Sequence, residues 1–160
     1  MRHTIVTVGQ MRAAHFRAAA DEYLRRIRPH ARVEMISVTG ERNPRRISAA
    51  AKREVVERES ERLSAAVGDG HAFTIALDER GRQMSSVSLA RLLARQGVEG
   101  RSHAAWFVGG PLGLSQSFIR RCQLHLSLSA LTFPHEMVPV ILLEQIYRAG
   151  KIQRGEPYHY

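Results

Sequence analysis

A glycine-rich turn between an apolar segment and a serine, in the run WFVGGPLGLS at residues 106–115, constrains the fold of this chain more than any other feature. The apolar residues 106–108 predict the end of a buried β-strand, and Ser115 predicts the N-cap of a following helix. In an open α/β sheet, ligands bind where the carboxyl end of a strand meets such a turn. The dinucleotide fingerprint G-x-G-x-x-G is incomplete here, because Val108 occupies its first glycine position. We therefore expect a ligand other than NAD.

The rest of the chain alternates short apolar segments with longer amphipathic ones. The pattern predicts strands at residues 4–8, 33–38, 72–77, 104–108 and 126–129, and helices at residues 11–28, 44–67, 85–96, 115–124 and 136–149. Strands that alternate with helices predict a mostly parallel sheet with helices on both faces. Because the 160 residues contain no repeat or linker, we expect residues 1–160 to form a single α/β domain.

The last predicted helix and the tail after it do not suit an ordinary α/β domain. Residues 137–147 are apolar almost all round, which is typical of a buried helix, and Pro139 is tolerated because it lies in the first turn. We expect this helix to pack on the sheet and on a second subunit. The tail ends in Tyr158, His159 and Tyr160, which predicts that it contacts something instead of fraying.

The charge of the chain favours a nucleic-acid partner. Its net charge is +9, and residues 1–53 hold 12 Lys and Arg against 4 Asp and Glu. Clusters such as 25–28 and 42–46 suit phosphate contacts, although an arginine-rich proteome would give the same composition. The single cysteine, Cys122, excludes an internal disulfide and predicts a small buried side chain. The sequence shows neither a long apolar run typical of a membrane span nor a signal peptide typical of secretion. It also lacks a pair of histidines at metal-binding spacing. We therefore expect a cytoplasmic protein.

Four motifs in this order resemble a known family: GGPLGL at 109–114, SLSALTFPH at 127–135, LLEQIYRA at 142–149 and RGEPYHY at 154–160. They are similar to the bacterial ribosomal RNA large subunit methyltransferase H family, in the SPOUT class of S-adenosyl-L-methionine-dependent enzymes. The resemblance extends over the full chain, since TVGQ at 7–10 and EYLRRI at 22–27 also fit.

The resemblance implies a fold, a partner and a reaction. It implies a deep trefoil knot in the cofactor-binding C-terminal half, behind a basic N-terminal half. It also implies a homodimer in which both subunits complete each active site. The implied reaction is methylation of N3 of a pseudouridine in 23S ribosomal RNA. Since the chain has no room for a separate RNA-recognition domain, we expect the assembled ribosome to be the better substrate than free rRNA.

The resemblance also implies a binding site for S-adenosyl-L-methionine. Its contacts would be the following eight residues: Leu77, Gly109, Leu128, Ser129, Ala130, Leu131, Thr132 and Phe133. An adenine ring needs an apolar slot with backbone hydrogen bonds, which these leucines and Phe133 would line. Without the resemblance, the same leucines would be interpreted as ordinary core and the glycines as an ordinary turn.

Methylation of the pseudouridine N3 requires loss of its proton, so a general base or a group that stabilises the developing anion is expected. His135, His159 and Glu144 are the candidates, and Tyr158 is expected to stack on a base or donate a hydrogen bond. The alternatives are that His135 caps a helix and that Tyr158 anchors the tail. For Glu144, an ion pair with Arg148 four residues later is the favoured interpretation.

The chain departs from the family pattern in two places. Pro139 stands where the family usually has an arginine, and Tyr160 replaces a final Lys or Arg-Glu. Both changes remove positive charge from the proposed RNA site. A second hypothesis is therefore an inert RNA-binding or ribosome-binding protein that keeps the fold. A nucleotide-binding oxidoreductase or hydrolase is the third hypothesis, and it lacks the glycine fingerprint or Walker lysine that it would need.

Overall fold

A computed structural model of the chain describes residues 1–41, 48–68 and 70–158. Its elements in chain order are β1 (Arg2–Val8), α1 (Ala14–Ile27), β2 (Arg32–Val38), α2 (Ala49–Val67), β3 (Phe73–Gln83), α3 (Ser86–Val98), β4 (His103–Val108), α4 (Gln116–Arg121), β5 (Leu124–Ser127) and α5 (Val138–Gln153). The alternation of strands and helices that the sequence predicts is confirmed.

The strands form one sheet in the order β2-β1-β4-β3-β5, and all neighbouring pairs are parallel. The carboxyl ends of the strands therefore lie along a single edge of the sheet. In the sheet register, Val108 of β4 pairs with Thr7 of β1 on one side and with Leu77 of β3 on the other. These three residues therefore lie together at the carboxyl edge. This edge holds the glycine turn that follows β4.

Helices cover both faces of the sheet, as the sequence predicts. Alternate residues of each strand point to opposite faces, so Ile5 and Trp106 pack with α1, α3 and α5. Their neighbours Val6 and Phe107 pack with α2 and α4. The Trp106 indole donates a hydrogen bond to Nδ1 of His3 over 3.2 Å. Burial lowers the pKa of His3 to about 3, which keeps its ring neutral and able to accept that bond.

The boundaries predicted for α4 and β5 were wrong. Helix α4 ends at Arg121 and not at 124, because Cys122 already has an extended backbone conformation. Strand β5 occupies Leu124–Ser127 and not 126–129. Pairing with β3 fixes this register, since Leu124 lies opposite Ile75 and Leu126 lies opposite Leu77. Cys122 is half-buried beside the α2–α4 layer, and burial raises the pKa of its thiol to about 11.

The predicted starts of two helices also differ from the structure, and the predicted start of a third falls outside the described residues. Helix α5 begins at Val138, because Glu136 instead accepts hydrogen bonds from the backbone N–H groups of Arg12 and Ala13, both over 2.8 Å. These bonds satisfy the start of α1, which begins at Ala14 and not at 11. Helix α2 begins at Ala49, after a Ser48 cap; its predicted start at Pro44 lies outside the described residues.

Strand β3 is longer than predicted and leaves the sheet in its middle. Leu126 of β5 pairs with Leu77 and again with Arg82, so residues 78–81 are looped out between the two pairings. We call residues 78–81 the β3 bulge. A Cβ on Gly81 would lie 2.5 Å from the carbonyl carbon of Leu126, so only glycine fits there. The bulge therefore returns tightly against β5.

Neither a membrane-spanning helix nor a metal cluster is found in the part of the chain that the structure describes. No helix there has the length and apolar character needed to cross a bilayer. No three His, Cys, Asp or Glu side chains within residues 1–41, 48–68 and 70–158 are grouped to hold a metal ion.

Candidate functional site

A cavity of about 570 Å³ opens at the carboxyl edge of the sheet. Three distant segments, the first residue of α5 and one residue of α2 form its walls: Leu77–Arg80, Val108–Gly113, the loop between β5 and α5 (Leu128, Ser129, Leu131, Thr132, Phe133 and His135), Val138 and Lys52. This is the position at which open α/β sheets bind their ligands. The sequence located the same edge through the glycine turn.

The glycine turn is closed by backbone contacts. The Gly113 N–H donates to the Gly110 carbonyl over 2.9 Å, and Gly113 has a positive φ of 82°. A Cβ on Gly109 would lie 2.6 Å from the carbonyl carbon of Gly113. Neither glycine has room or conformation for a side chain, so the bare backbone of the turn faces the cavity.

Buried serines attach this turn to the neighbouring helices. The Ser115 side chain accepts a hydrogen bond from the Phe118 N–H over 3.2 Å, which confirms the predicted N-cap of α4. The Ser115 N–H in turn donates to Oγ of Ser60 in α2 over 3.1 Å. Both serines are buried, so the turn has one fixed position relative to α2.

A buried carboxyl group lies behind the turn. Glu59 is 2% exposed, and its Oε1 accepts a hydrogen bond from the Glu41 N–H over 2.9 Å. Its Oε2 lies 3.0 Å from where a Cβ on Gly110 would be, and it has no hydrogen-bond partner among the described residues. Burial raises the pKa of Glu59. This carboxyl packs on the turn from the side away from the cavity.

The loop after β5 is shaped by its own serines and fastened to the β3 bulge. Oγ of Ser129 accepts a hydrogen bond from the Leu131 N–H over 2.9 Å. The Thr132 hydroxyl donates to Oε2 of Glu79 over 3.1 Å, across the cavity mouth. Leu131 is 71% exposed, although it also lines the cavity. An apolar side chain is therefore presented at the opening.

The β3 bulge places charge on an otherwise apolar wall. Asp78 accepts hydrogen bonds from the Arg80 backbone N–H over 3.0 Å and from its Nε over 3.1 Å, and His125 Nε2 lies 3.4 Å away. Burial acts to raise the pKa of Asp78, but the bonds from Arg80 and His125 outweigh burial and lower it. Asp78 is thus a stable carboxylate at the cavity wall.

The structure brings most of the predicted cofactor contacts together around this cavity. Seven of the eight line it: Leu77, Gly109, Leu128, Ser129, Leu131, Thr132 and Phe133. Ala130 belongs to the same loop but is exposed and does not line the cavity. His135 does line the cavity, and it does not cap α5, whose N-cap is Met137 without a side-chain bond.

Tyr158 lies elsewhere. Its hydroxyl donates to Oε1 of Glu144 over 3.4 Å, its ring meets the Tyr147 ring edge-on at 4.8 Å, and the Arg148 guanidinium lies 4.7 Å from its centre. None of these residues lines the cavity of the same chain. Burial together with a hydrogen bond to Tyr23 raises the pKa of Tyr158 to about 12.

Two other candidates for the general base have different outcomes. Glu144 forms an ion pair with Arg148, whose Nε donates to its Oε1 over 2.9 Å, as the four-residue spacing predicts. It is therefore engaged on α5 and does not reach the cavity. His159 and Tyr160 lie outside the described residues. Of the three candidates, His135 alone is placed at the cavity by the described part of the chain.

Sequence reasoning missed four charged residues of the cavity, namely Lys52, Asp78, Glu79 and Arg80. The run DERGR after the third apolar segment was an available signal, because polar residues that follow a buried strand lie at the ligand-binding edge. The sequence around Lys52 gave no such signal. Lys52 reaches the cavity only because α2 packs against β1 and β2.

Comparisons with known proteins agree with this geometry. The family model described as "Predicted SPOUT methyltransferase" matches residues 1–159. The chain is 45% identical over 160 residues to the Ribosomal RNA large subunit methyltransferase H of Symbiobacterium thermophilum, which covers 99% of each protein. It is 41% identical over 159 residues to the protein of that name from Carboxydothermus hydrogenoformans, again with 99% of each covered.

Solved structures share the fold at low sequence identity. A methylase family protein from Haemophilus influenzae Rd KW20 superposes with a TM-score of 0.54 at 13% identity, over 99% of this chain and 70% of that one. A methylase family protein from Neisseria gonorrhoeae gives a TM-score of 0.54 at 15% identity, over 99% of this chain and 85% of that one. At this identity the likeness concerns the fold alone.

Proposed function

This chain belongs to the SPOUT methyltransferase family, and we propose that it transfers a methyl group from S-adenosyl-L-methionine to N3 of a pseudouridine in 23S ribosomal RNA. One observation supports the cofactor more than any other. The cavity at the carboxyl edge combines the bare backbone of the glycine turn with an apolar loop and a charged bulge. The full-length similarity to proteins named for ribosomal RNA methylation supports the substrate.

The residues present fit the two ends of S-adenosyl-L-methionine. Leu77, Leu128 and Phe133 form an apolar wall for the adenine ring, and the backbone of the glycine turn offers hydrogen bonds to its edge. The methionine end carries an ammonium and a carboxylate. Asp78 and Lys52 are opposite charges on the same cavity and match those two groups.

The chain's own residues must orient the pseudouridine and accept its N3 proton. When bound, S-adenosyl-L-methionine would supply an electrophilic methyl group for in-line transfer to the attacking nitrogen, with the neutral thioether S-adenosyl-L-homocysteine as the leaving group. His135 is exposed at the cavity mouth and accepts the N3 proton in this proposal. Leu131 and Phe133 exclude water from the methyl group.

We propose that the tail of a second subunit completes each site. Tyr158 is bound on α5 of its own chain, away from its own cavity. Residues Val140, Ile141 and Tyr147 of α5 keep apolar surface that the single chain only half covers. A homodimer that pairs these surfaces would cover them and carry each tail toward the partner's cavity. His159 then joins the site with Tyr158.

The test of the function is tritium transfer from labelled S-adenosyl-L-methionine to assembled ribosomes that lack this modification, followed by nucleoside digestion and mass spectrometry. We expect label on N3 of a pseudouridine and a much slower reaction with naked 23S rRNA. Equal rates on both substrates would reject the preference for the assembled ribosome. Cofactor binding without transfer to either substrate would favour the inert ribosome-binding protein.

A mixed dimer tests the shared active site. One subunit carries Gly109→Ala, which displaces the glycine turn of its cavity, and the other carries Tyr158→Ala, which removes the tail contact. If the tail serves the partner, the mixture restores one working site per dimer, although each homodimer is inactive. If the tail serves its own chain, the mixture stays inactive.

A further inference from the structure

A second concave surface lies at the opposite edge of the sheet. It is a groove of about 850 Å³ formed by the last turn of α1 and the first residues of β1 and β2. We call it the arginine groove, after its four arginines Arg2, Arg25, Arg28 and Arg32. Because all strands are parallel, it lies at the amino end of the strands, and the cofactor cavity lies at their carboxyl end.

The arginine groove carries uncompensated positive charge. Glu34 is its one acidic residue within the described chain. Arg25 is paired with Glu22 over 2.7 Å but keeps 73% of its side chain exposed. Arg28 and Arg32 are exposed and form no ion pair or side-chain hydrogen bond with any described residue. Their guanidinium groups are therefore available to an anion.

Two of these arginines are placed side by side by the sheet itself. Arg2 of β1 pairs in register with Arg32 of β2, so both side chains leave the same face of neighbouring strands. Like charges in this position repel each other unless an anion lies between them. On its other side, Arg2 pairs with His103 of β4 and donates to its Nδ1 over 2.9 Å. Burial and the nearby Arg2 charge lower the pKa of His103, so its ring stays neutral and holds Arg2 in position.

From this arrangement we infer that the arginine groove binds the phosphate backbone of RNA. Guanidinium groups match phosphate oxygens in pairs, and four of them around one groove suit a run of consecutive phosphates. Leu24, Ala31 and Val33 also line the groove and pack against the hydrophobic core beneath it.

The position of the groove says which part of the RNA it contacts. This step rests on the proposed function. The strands separate the two edges by roughly 20 Å, at about 3.3 Å per residue. The groove therefore holds RNA backbone roughly 20 Å from the nucleotide that enters the cavity. Such a contact supplies affinity and orientation and reads no bases.

The experiment compares two double variants that lose the same charge. Arg28→Ala with Arg32→Ala empties the groove of its unpaired arginines, and Arg91→Ala with Arg95→Ala removes two exposed arginines of α3 as the matched control. Binding of a fluorescein-labelled 30-nucleotide RNA hairpin and of assembled ribosomes is measured between 50 and 200 mM potassium chloride. Calorimetry with S-adenosyl-L-methionine verifies that each variant keeps its cavity.

We expect the groove variant to bind the hairpin about tenfold more weakly and to lose about 1.5 from the slope of log affinity against log salt, since each phosphate contact contributes about 0.7–0.9. The control should change affinity less than twofold. Equal losses in both variants, or an unchanged slope in the groove variant, would overturn the inference. So would dissociation of the groove variant into monomers in sedimentation, which would assign the groove to a second copy of the chain.

Methyl transfer by the unmodified protein, measured in parallel, separates this inference from the proposed function. If the protein methylates ribosomes and the two variants have the same salt slope, the function stands and the groove inference fails. If no methyl is transferred but the groove variant alone loses affinity and slope, the inference stands and the function fails. If the unmodified protein binds neither RNA nor ribosomes, both fail.

Discussion

The cavity at the carboxyl edge of the sheet and the C-terminal tail are held in place by different forces. At the cavity, backbone lies against backbone: a Cβ on Gly109 would meet Gly113 at 2.6 Å, and one on Gly81 would meet Leu126 at 2.5 Å. The tail is instead held by ion pairs, since Glu156 pairs with Lys151 and with Arg154, both at 2.5 Å.

This difference separates a sterically fixed site from an electrostatically adjustable one. Close backbone contacts change little with pH or salt, but they tolerate no added atom. Exposed ion pairs tolerate substitution, yet they weaken when a carboxyl group is protonated or when salt screens the charges. The four predictions that follow test this contrast, beginning with the largest expected effect.

Gly109→Ala should nearly abolish cofactor binding. The new methyl group would lie 2.6–2.7 Å from the Gly113 carbonyl group, so the turn must shift away from its position. Such overpacking costs about 1–3 kcal/mol, which corresponds to a roughly 5- to 150-fold loss of affinity for S-adenosyl-L-methionine in calorimetry. Gly97→Ala is the control, because its Cβ meets nothing within 4 Å. Unchanged affinity in Gly109→Ala would show that the turn adapts.

Ser60→Ala should destabilise the protein without touching the cavity. The change leaves the buried N–H of Ser115 without the acceptor that now lies 3.1 Å away. An unpaired buried donor costs about 1–3 kcal/mol in the free energy of unfolding, measured by urea denaturation. Ser64→Ala, at an exposed position of the same helix, serves as the matched variant and should remain within about 0.5 kcal/mol. Equal effects at Ser60 and Ser64 would contradict the role of this bond.

The order of the tail should depend on pH through Glu156. Hydrogen bonds from Arg154 and Lys151 lower the pKa of Glu156 from 4.5 to about 2 in the folded chain. The pairing is therefore fully present above pH 4.5 and is lost as the pH falls through 2. The protection factors of the Gly155, Glu156 and Tyr158 amides, which correct exchange rates for their intrinsic pH dependence, should fall as the pH is lowered across that window. In Glu156→Gln they should be low at every pH, whereas Glu54→Gln, in another exposed ion pair, should behave like the unmodified chain.

Added salt should change amide exchange less than the preceding variants change their measured quantities. It should nevertheless distinguish the tail from the glycine turn most directly. Raising the ionic strength from 0.1 to 1 M shortens the screening length from about 10 to 3 Å. Exchange in the tail should rise a few-fold at neutral pH. Exchange of the Gly109, Gly110, Leu112 and Gly113 amides should stay constant, because no ion pair among the described residues holds that turn. A parallel rise in both regions would mean that global unfolding governs the exchange.

Much of the fold could be predicted because its signals are local. The apolar run 104–108, the glycine turn and the Ser115 cap are each read from adjacent residues, and all three were confirmed. The errors arose where distant residues decide. Glu136 caps α1 and so delays α5, and Leu126 fixes the register of β5 by pairing twice with β3. The knot implied by the resemblance stays a prediction.

The site was predictable to a similar extent. The apolar contacts and the glycine turn come from motifs that are contiguous in sequence, and the structure places them around one cavity. Lys52 was missed because no local pattern places α2 at the cavity, whereas Asp78 was missed although it opens the polar run that follows a buried strand. The distance of Tyr158 from its own cavity was also unpredictable, since it depends on how the tail folds along α5. The catalytic roles of His135, Tyr158 and His159 remain predictions.

The cavity also has a consequence for how the chain folds and survives. Its walls come from residues 77–80, 108–113 and 128–138, so it is complete only after the edge strand β5 has paired with β3. Contacts between such distant segments form late in folding. A ligand bound there stabilises the native state by about 2.7 kcal/mol at a hundredfold excess over its Kd. If the proposed cofactor occupies the cavity, S-adenosyl-L-methionine would thus protect the folded C-terminal half from proteolysis, and the abundance of the protein would follow the supply of that proposed methyl donor.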